Sequence, residues 1–156
     1  MLTHLPALIT SPADAWERIR QDADKHPWGF MPLMLLGTLI PAAASYIGAT
    51  HVGWQFYGND EVQFLRPASG LLLAVMCYLG FISALIIMSL MTRWVLYRTP
   101  QRPSIPTSLT FVTVTALPMM LAGVIALLPY RPVLLIGGGL AAGLSCILLF
   151  FGLPSY

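Results

Sequence analysis

The sequence predicts an all-α membrane protein, a bundle of four transmembrane helices preceded by a short amphipathic helix on the cytoplasmic side. Of its 156 residues, 57% are hydrophobic and only 9% charged, against roughly 25% charged in an ordinary soluble domain. The apolar residues come in separate runs of about 20, the length a helix needs to cross the hydrocarbon of a bilayer. Most prolines and nearly all charged residues collect between the runs, where chain reversals belong. Residues 1–27 form a cytoplasmic segment, and residues 28–156 form the transmembrane domain.

Residues 1–27 do not read as a secretory signal: Asp14, Glu17, Arg18, Arg20, Asp22, Asp24 and Lys25 precede the apolar run, and no cleavage site follows a short hydrophobic core. Ser11, Pro12 and Asp14 mark a helix start, with a hydroxyl to cap free amides, a proline at the first position and a carboxylate near the positive end. A helix from Pro12 to Asp24 gathers Pro12, Ala15, Trp16, Ile19 and Ala23 on one face and sets the charges opposite. Such a helix can lie on a membrane surface with Trp16 as its anchor, or pack on the protein's own cytoplasmic loops.

The first span is expected from Trp28 to Ala49, with Pro41 inside it. The loop Thr50 to Arg66 holds Trp54, Phe56, Tyr57 and Phe64 around Gly58, Asn59 and Asp60, an aromatic density suited to a loop folded back onto the interface. The second span runs from Pro67 to Leu96, interrupted by Arg93, and is longer than the hydrocarbon requires. A proline-studded link, Arg98 to Pro106, breaks the helix before a third span from Thr107 to Leu128. Pro129 and Pro132 bracket a short turn at Tyr130 and Arg131, so the fourth span, Val133 to Leu153, is an antiparallel neighbour of the third.

Arg18, Arg20, Lys25, Arg93, Arg98 and Arg102 fall on one side of these spans, and Arg66 and Arg131 on the other. Short loops rich in Lys and Arg stay in the cytoplasm, which puts the N-terminus there. The net charge of +2 is scattered, which argues against a nucleic-acid partner.

Chemistry is scarce in the spans. No Asp, Glu, Lys or His lies within a span core, and Arg93 sits near a cytoplasmic end where it can snorkel. His4, His26 and His51 are far apart, and Cys77 and Cys146 stand alone in apolar runs, so neither a metal site nor a disulfide is expected. No catalytic residue and no cofactor site is assigned. Gly137, Gly138 and Gly139 lie inside an apolar span with no Lys after them, which is not a phosphate loop.

Two features remain. Gly139 with Gly143, Gly80 with Ala84, and Ala44 with Gly48 are each four apart, the small-residue spacing that lets membrane helices approach closely. Thr107, Ser108, Thr110, Thr113 and Thr115 make the first half of the third span mildly polar. Hydroxyls bonding back to helix carbonyls would explain this; a hydrated vestibule lined by Thr110, Thr113, Ser69 and Ser83 is the sharper reading. Thr38 to Pro41 and Thr115 to Pro118 also echo each other, a repeat that the frequency of proline in membrane helices explains by chance.

The stretches Ser11 to Ile19 (SPADAWERI), Ile40 to Phe56 (IPAAASYIGATHVGWQF), Thr99 to Ser104 (TPQRPS), Ala116 to Pro129 (ALPMMLAGVIALLP) and Phe151 to Tyr156 (FGLPSY) resemble the Yip family of Rab-interacting membrane proteins, in its bacterial branch. The likeness runs in order over nearly the whole chain. It implies a five-span helical fold with a cytoplasmic N-terminus in a bacterial inner membrane, and no known enzymatic activity. The Rab-binding role of eukaryotic relatives does not carry over, because bacteria lack Rabs. The expected function is therefore a non-catalytic one, membrane organisation or scaffolding of partners, with the bilayer, other membrane proteins or a second copy as what it contacts. The alternative is transport or lipid handling through a cavity between proline-broken helices. Phe150 to Tyr156 carries no basic anchor for a cytoplasmic helix end, so the natural chain is expected to continue into a fifth span.

Overall fold

Helix α1 (Pro12–Lys25) begins at the proline, whose missing N–H costs nothing in a first turn. The computed structural model describes residues 12–55, 61–98, 103–128 and 131–155. Ser11, the turn residues Gly58 to Asp60, most of the proline-rich link, Pro129 and Tyr130 lie outside them. After α1 the chain turns twice, with Gly29 N–H bonding His26 O and Met31 N–H bonding Trp28 O, and enters α2 (Met31–Ile47).

Helix α2 stays continuous through Pro41 and winds into a π-helical turn, Gly48–Val52. Gly53 stops it with φ of 79°, a left-handed conformation that a side chain disfavours. The hairpin that follows pairs β1 (Trp54–Gln55) antiparallel with β2 (Val62–Gln63), Trp54 opposite Gln63. Leu65 N–H bonds back to Ala49 O, which closes the loop onto the end of α2. The expected fold-back loop is thus built around a two-stranded ribbon.

Helix α3 (Pro67–Val95) spans 29 residues and tightens into a 3-10 turn, Leu96–Arg98. Its covered positions, Gly70, Ala74, Tyr78, Ile82, Leu85, Ser89 and Leu96, recur at helical spacing, so it shows the bundle one stripe. The remaining faces are mostly exposed apolar residues, as lipid favours.

The expected third span is broken. Helix α4 (Ile105–Thr115) ends at Ala116, α5 (Leu117–Ala122) follows, and a 3-10 turn, Gly123–Leu127, completes it. The two parts bend by 45°. Pro118 has no N–H for the Val114 carbonyl, which removes one helix bond at the bend. Helix α6 (Arg131–Gly152) and a 3-10 turn, Leu153–Ser155, end the described chain. Three stretches are long and apolar enough to cross a membrane, Met31–Val52, Pro67–Val95 and Pro132–Gly152, and the bent pair makes a fourth when taken as one span. The chain is an all-α membrane protein, as its sequence predicts.

Helix α4 is the centre of the bundle, packed by α1, α3 and α6. Thr107, Ser108 and the whole run Thr110 to Thr115 are buried. Helix α2 packs on α3, on α5 and on the turn after it. Here two close approaches fix the bend from outside: a Cβ at Gly37 would lie 2.6 Å from Met120 Sδ, and one at Gly123 would lie 2.5 Å from Pro41 Cβ and 2.7 Å from its Cα.

The amphipathic helix does not leave its apolar face open to a membrane surface in this structure. Ala15, Trp16, Ile19 and Ala23 are all buried, Trp16 completely, and α1 packs on α4 and on the end of α6. A free edge was available for Trp16 because Gly152 leaves space: a Cβ there would meet Phe111 Cε2 at 2.5 Å and Trp16 Cε2 at 2.7 Å. Nor does α1 merely cover loops, since its seat is made of the ends of spanning helices.

Candidate functional site

The polar side chains inside the bundle concentrate on α4. Ser104 caps the helix, its Oγ accepting from Thr107 N–H at 3.2 Å. Thr107 Oγ1 lies 2.6 Å from Ser104 Oγ and donates to Asp24 Oδ1 at 3.1 Å, which ties α1 to the start of α4. Thr110 Oγ1 donates to Pro106 O at 3.0 Å and Thr115 Oγ1 to Phe111 O at 2.9 Å. A hydroxyl bonded to its own helix needs no partner elsewhere. The same device serves Thr38, whose Oγ1 donates to Met34 O at 2.8 Å in α2.

Two hydroxyls on α4 are left over. Ser108 Oγ and Thr113 Oγ1 are buried and have no hydrogen-bond partner among the described residues. A buried hydroxyl without a partner costs about 1–3 kcal/mol, so these two are where a water or a polar ligand group would be most useful. On other helices Ser145 Oγ and Arg93 Nε are also buried without a partner among the described residues.

The expected vestibule is not assembled from all four of its residues. Thr110 and Thr113 are buried on α4, whereas Ser69 and Ser83 are exposed on α3. The physical reason is the stripe of α3: positions 70, 78, 85 and 89 face the bundle, and Ser69 and Ser83 fall outside it. The buried hydroxyl that α3 does contribute is Ser89. Its spacing of four from Leu85 and seven from Leu96 was the signal that could have found it.

The small-residue pairs divide in the same way. Ala44 and Gly48 lie on the buried side of α2 and its π-helical turn. Gly80 and Ala84 are exposed on α3, as are Gly139 and Gly143 on α6. A Cβ at Gly80, Gly139 or Gly143 would have nothing within 4 Å. Helix α6 turns a different set inward, Gly137, Ala141, Ser145 and Gly152, with Gly137 against Ile125. Within the chain, the close approach expected at Gly139 and Gly143 is made two positions earlier, on the opposite face.

Other candidate chemistry stays dispersed. Among the described residues no group of three or more His, Cys, Asp or Glu side chains could hold a metal ion. His26 follows α1, while His51 sits at the hairpin end, where its Nδ1 lies 2.7 Å from Thr50 Oγ1. Cys77 and Cys146 are free thiols on α3 and α6. His4 lies outside the described residues.

Comparison with known proteins gives a family and inner-membrane relatives. The Yip1 domain matches residues 7–156. The inner membrane protein YohC of Escherichia coli strain K12 is 28% identical over 155 residues, 99% of this chain and 79% of the relative. YohC of Escherichia coli O6:H1 aligns equally well, with the same identity and coverage. No solved structure matches.

Proposed function

This chain belongs to the Yip1 domain family, and on that premise we propose that it is a non-catalytic, multi-pass protein of a bacterial inner membrane that organises partner proteins through its outward helix faces. The observation that carries this reading is the pair of outward small-residue faces, Gly80 with Ala84 on α3 and Gly139 with Gly143 on α6. Inside one chain these glycines do nothing for packing. Against a second membrane helix, whether of another protein or of another copy, they permit the backbone approach that supplies van der Waals contact where lipid offers no hydrophobic drive.

The experiment is crosslinking in native membranes followed by purification, with both proteins and lipids analysed. A specific protein partner, lost in Gly139→Leu and Gly143→Leu while the melting temperature of the purified protein holds, supports the reading. Recovery of the same partner in equal yield with both substitutions sinks it.

Transport or lipid handling is the second reading, and the observation in its favour is the broken third span, with Thr113 beside the break and Ser108 at the far end of α4 both without a hydrogen-bond partner among the described residues. Discontinuous helices with unmet polar groups are how transporters build sites within the bilayer. A stoichiometric solute or lipid that co-purifies without a protein partner would favour it.

A further inference from the structure

We propose that α1 is a two-position element, docked on the α4–α6 end of the bundle as described above, and able to release onto the adjacent bilayer surface on its Ala15, Trp16, Ile19 and Ala23 face.

The docked position is a built seat. The Trp16 and Phe111 rings pack at 5.1 Å between centroids, tilted by 52°. Gly152 makes the space for both rings, and the Asp24 carboxylate accepts from Thr107 at the start of α4. The carboxylate there also suits the positive end of that helix.

At its Asp24–Thr107 contact α1 can leave the seat without stranding a polar group. Thr107 Oγ1 has a second partner ready, Ser104 Oγ at 2.6 Å, so losing Asp24 orphans no hydroxyl. Asp24 is already exposed and stays hydrated. The charged side chains Asp14, Glu17, Arg18 and Lys25 face outward in the docked state and need not be moved from partners in the bundle. What release must re-cover is the apolar face, and the bilayer surface can do so, since an amphipathic helix with one Trp suits the headgroup boundary.

The connection allows it. His26, Pro27, Trp28 and Gly29 are exposed, each of the two turns there has one backbone bond, Gly29 N–H to His26 O and Met31 N–H to Trp28 O, and the Trp28 ring stacks on buried Phe30. Trp28 and Met31 stand exposed where α2 begins, so the hinge lies at the end of a span, next to the surface the helix would reach.

The test uses the full chain in lipid nanodiscs with Cys77→Ala and Cys146→Ala, and follows maleimide labelling of one added cysteine at a time. Glu17→Cys, exposed, sets the fast limit, and Val114→Cys, in the core, sets the slow one. Ala15→Cys should label between them and to completion, because a seat that opens transiently exposes what it covers. Thr107→Val should raise that rate about severalfold, by loosening the docked state, and leave Val114→Cys unchanged. With Trp28, Trp54 and Trp94 replaced by Phe, Trp16 fluorescence in Thr107→Val should gain quenching by brominated lipid. Labelling of Ala15→Cys as slow as Val114→Cys would make α1 a fixed part of the bundle, and labelling as fast as Glu17→Cys would deny the docked state; either overturns the proposal. Quenching gained by aqueous iodide instead of brominated lipid would overturn the bilayer as the second position.

Discussion

Gly123 has Pro41 against it so closely that any side chain must push backbone, since a Cβ would sit 2.7 Å from Pro41 Cα. Gly123→Ala is therefore expected to cost about 1–3 kcal/mol of stability through overpacking, whereas Gly80→Ala and Gly139→Ala, with open space around them, should cost nothing and gain up to about 1 kcal/mol from helix propensity. Thermal unfolding of the purified variants in detergent checks this; a Gly123→Ala protein that melts like the parent would mean α2 does not touch the turn after α5. Thr113 gives the opposite test. Its hydroxyl is buried without a partner, so Thr113→Val should leave the melting temperature unchanged or raise it, by at most the 1–3 kcal/mol that an unmet polar group costs, in order of magnitude. A clear drop would show that the hydroxyl has a water or ligand to bond, which the transport reading needs. At this scale the sequence was ambiguous for a geometric reason. Helix α6 carries small residues four apart in two registers, Gly137, Ala141 and Ser145 in one and Gly139 and Gly143 in the other. Two residues are about 200° around a helix, so choosing the register chooses the face, and spacing alone does not choose.

Helix α1 shows what a single element's pattern tells and what it leaves open. Its apolar spacing defined one face correctly, yet a face of Ala15, Trp16, Ile19 and Ala23 fits a bilayer surface and a protein seat alike. The seat was invisible because its parts, Thr107, Phe111 and Gly152, come from regions far apart in the chain. Trp16→Ala should empty that seat, a loss of the size of about 3–5 kcal/mol seen for buried Trp, and so free α1 without unfolding the spans. Trypsin should then cut at Arg18, Arg20 or Lys25 markedly faster than in the parent, with the remaining bundle surviving as one product. Equal cleavage rates would mean that Trp16 does not hold the helix. The third span taught a similar lesson. Pro118 lies at the bend, but Pro41 is a proline too, and α2 stays continuous through it. The difference lies in what each helix packs against: α5 is drawn toward α2 by the fits of Met120 to Gly37 and of Gly123 to Pro41.

The whole molecule has two unlike ends. One gathers α1, the start of α4 and the end of α6, and the other holds the π-helical turn and the hairpin. The distribution of basic residues predicts a cytoplasmic α1 end. A cysteine replacing exposed His51 should accordingly react with a membrane-impermeant thiol reagent in intact cells, and one replacing exposed Gln21 only after lysis, in a background lacking Cys77 and Cys146. The reverse pattern would invert the topology. The sequence by itself determined the membrane class, the spans to within a few residues and the amphipathic face of α1, because transfer of apolar side chains from water to lipid depends on run length and period and on nothing distant. Only the tertiary structure decided that α4 is the centre, that its hydroxyls are buried apart from Ser69 and Ser83, that α1 docks on Phe111 and Gly152, and which glycines meet a neighbour. In lipid every face of an apolar helix is equally acceptable to the solvent, so the choice of inner face falls to shape complementarity between segments distant in sequence, which no local pattern records.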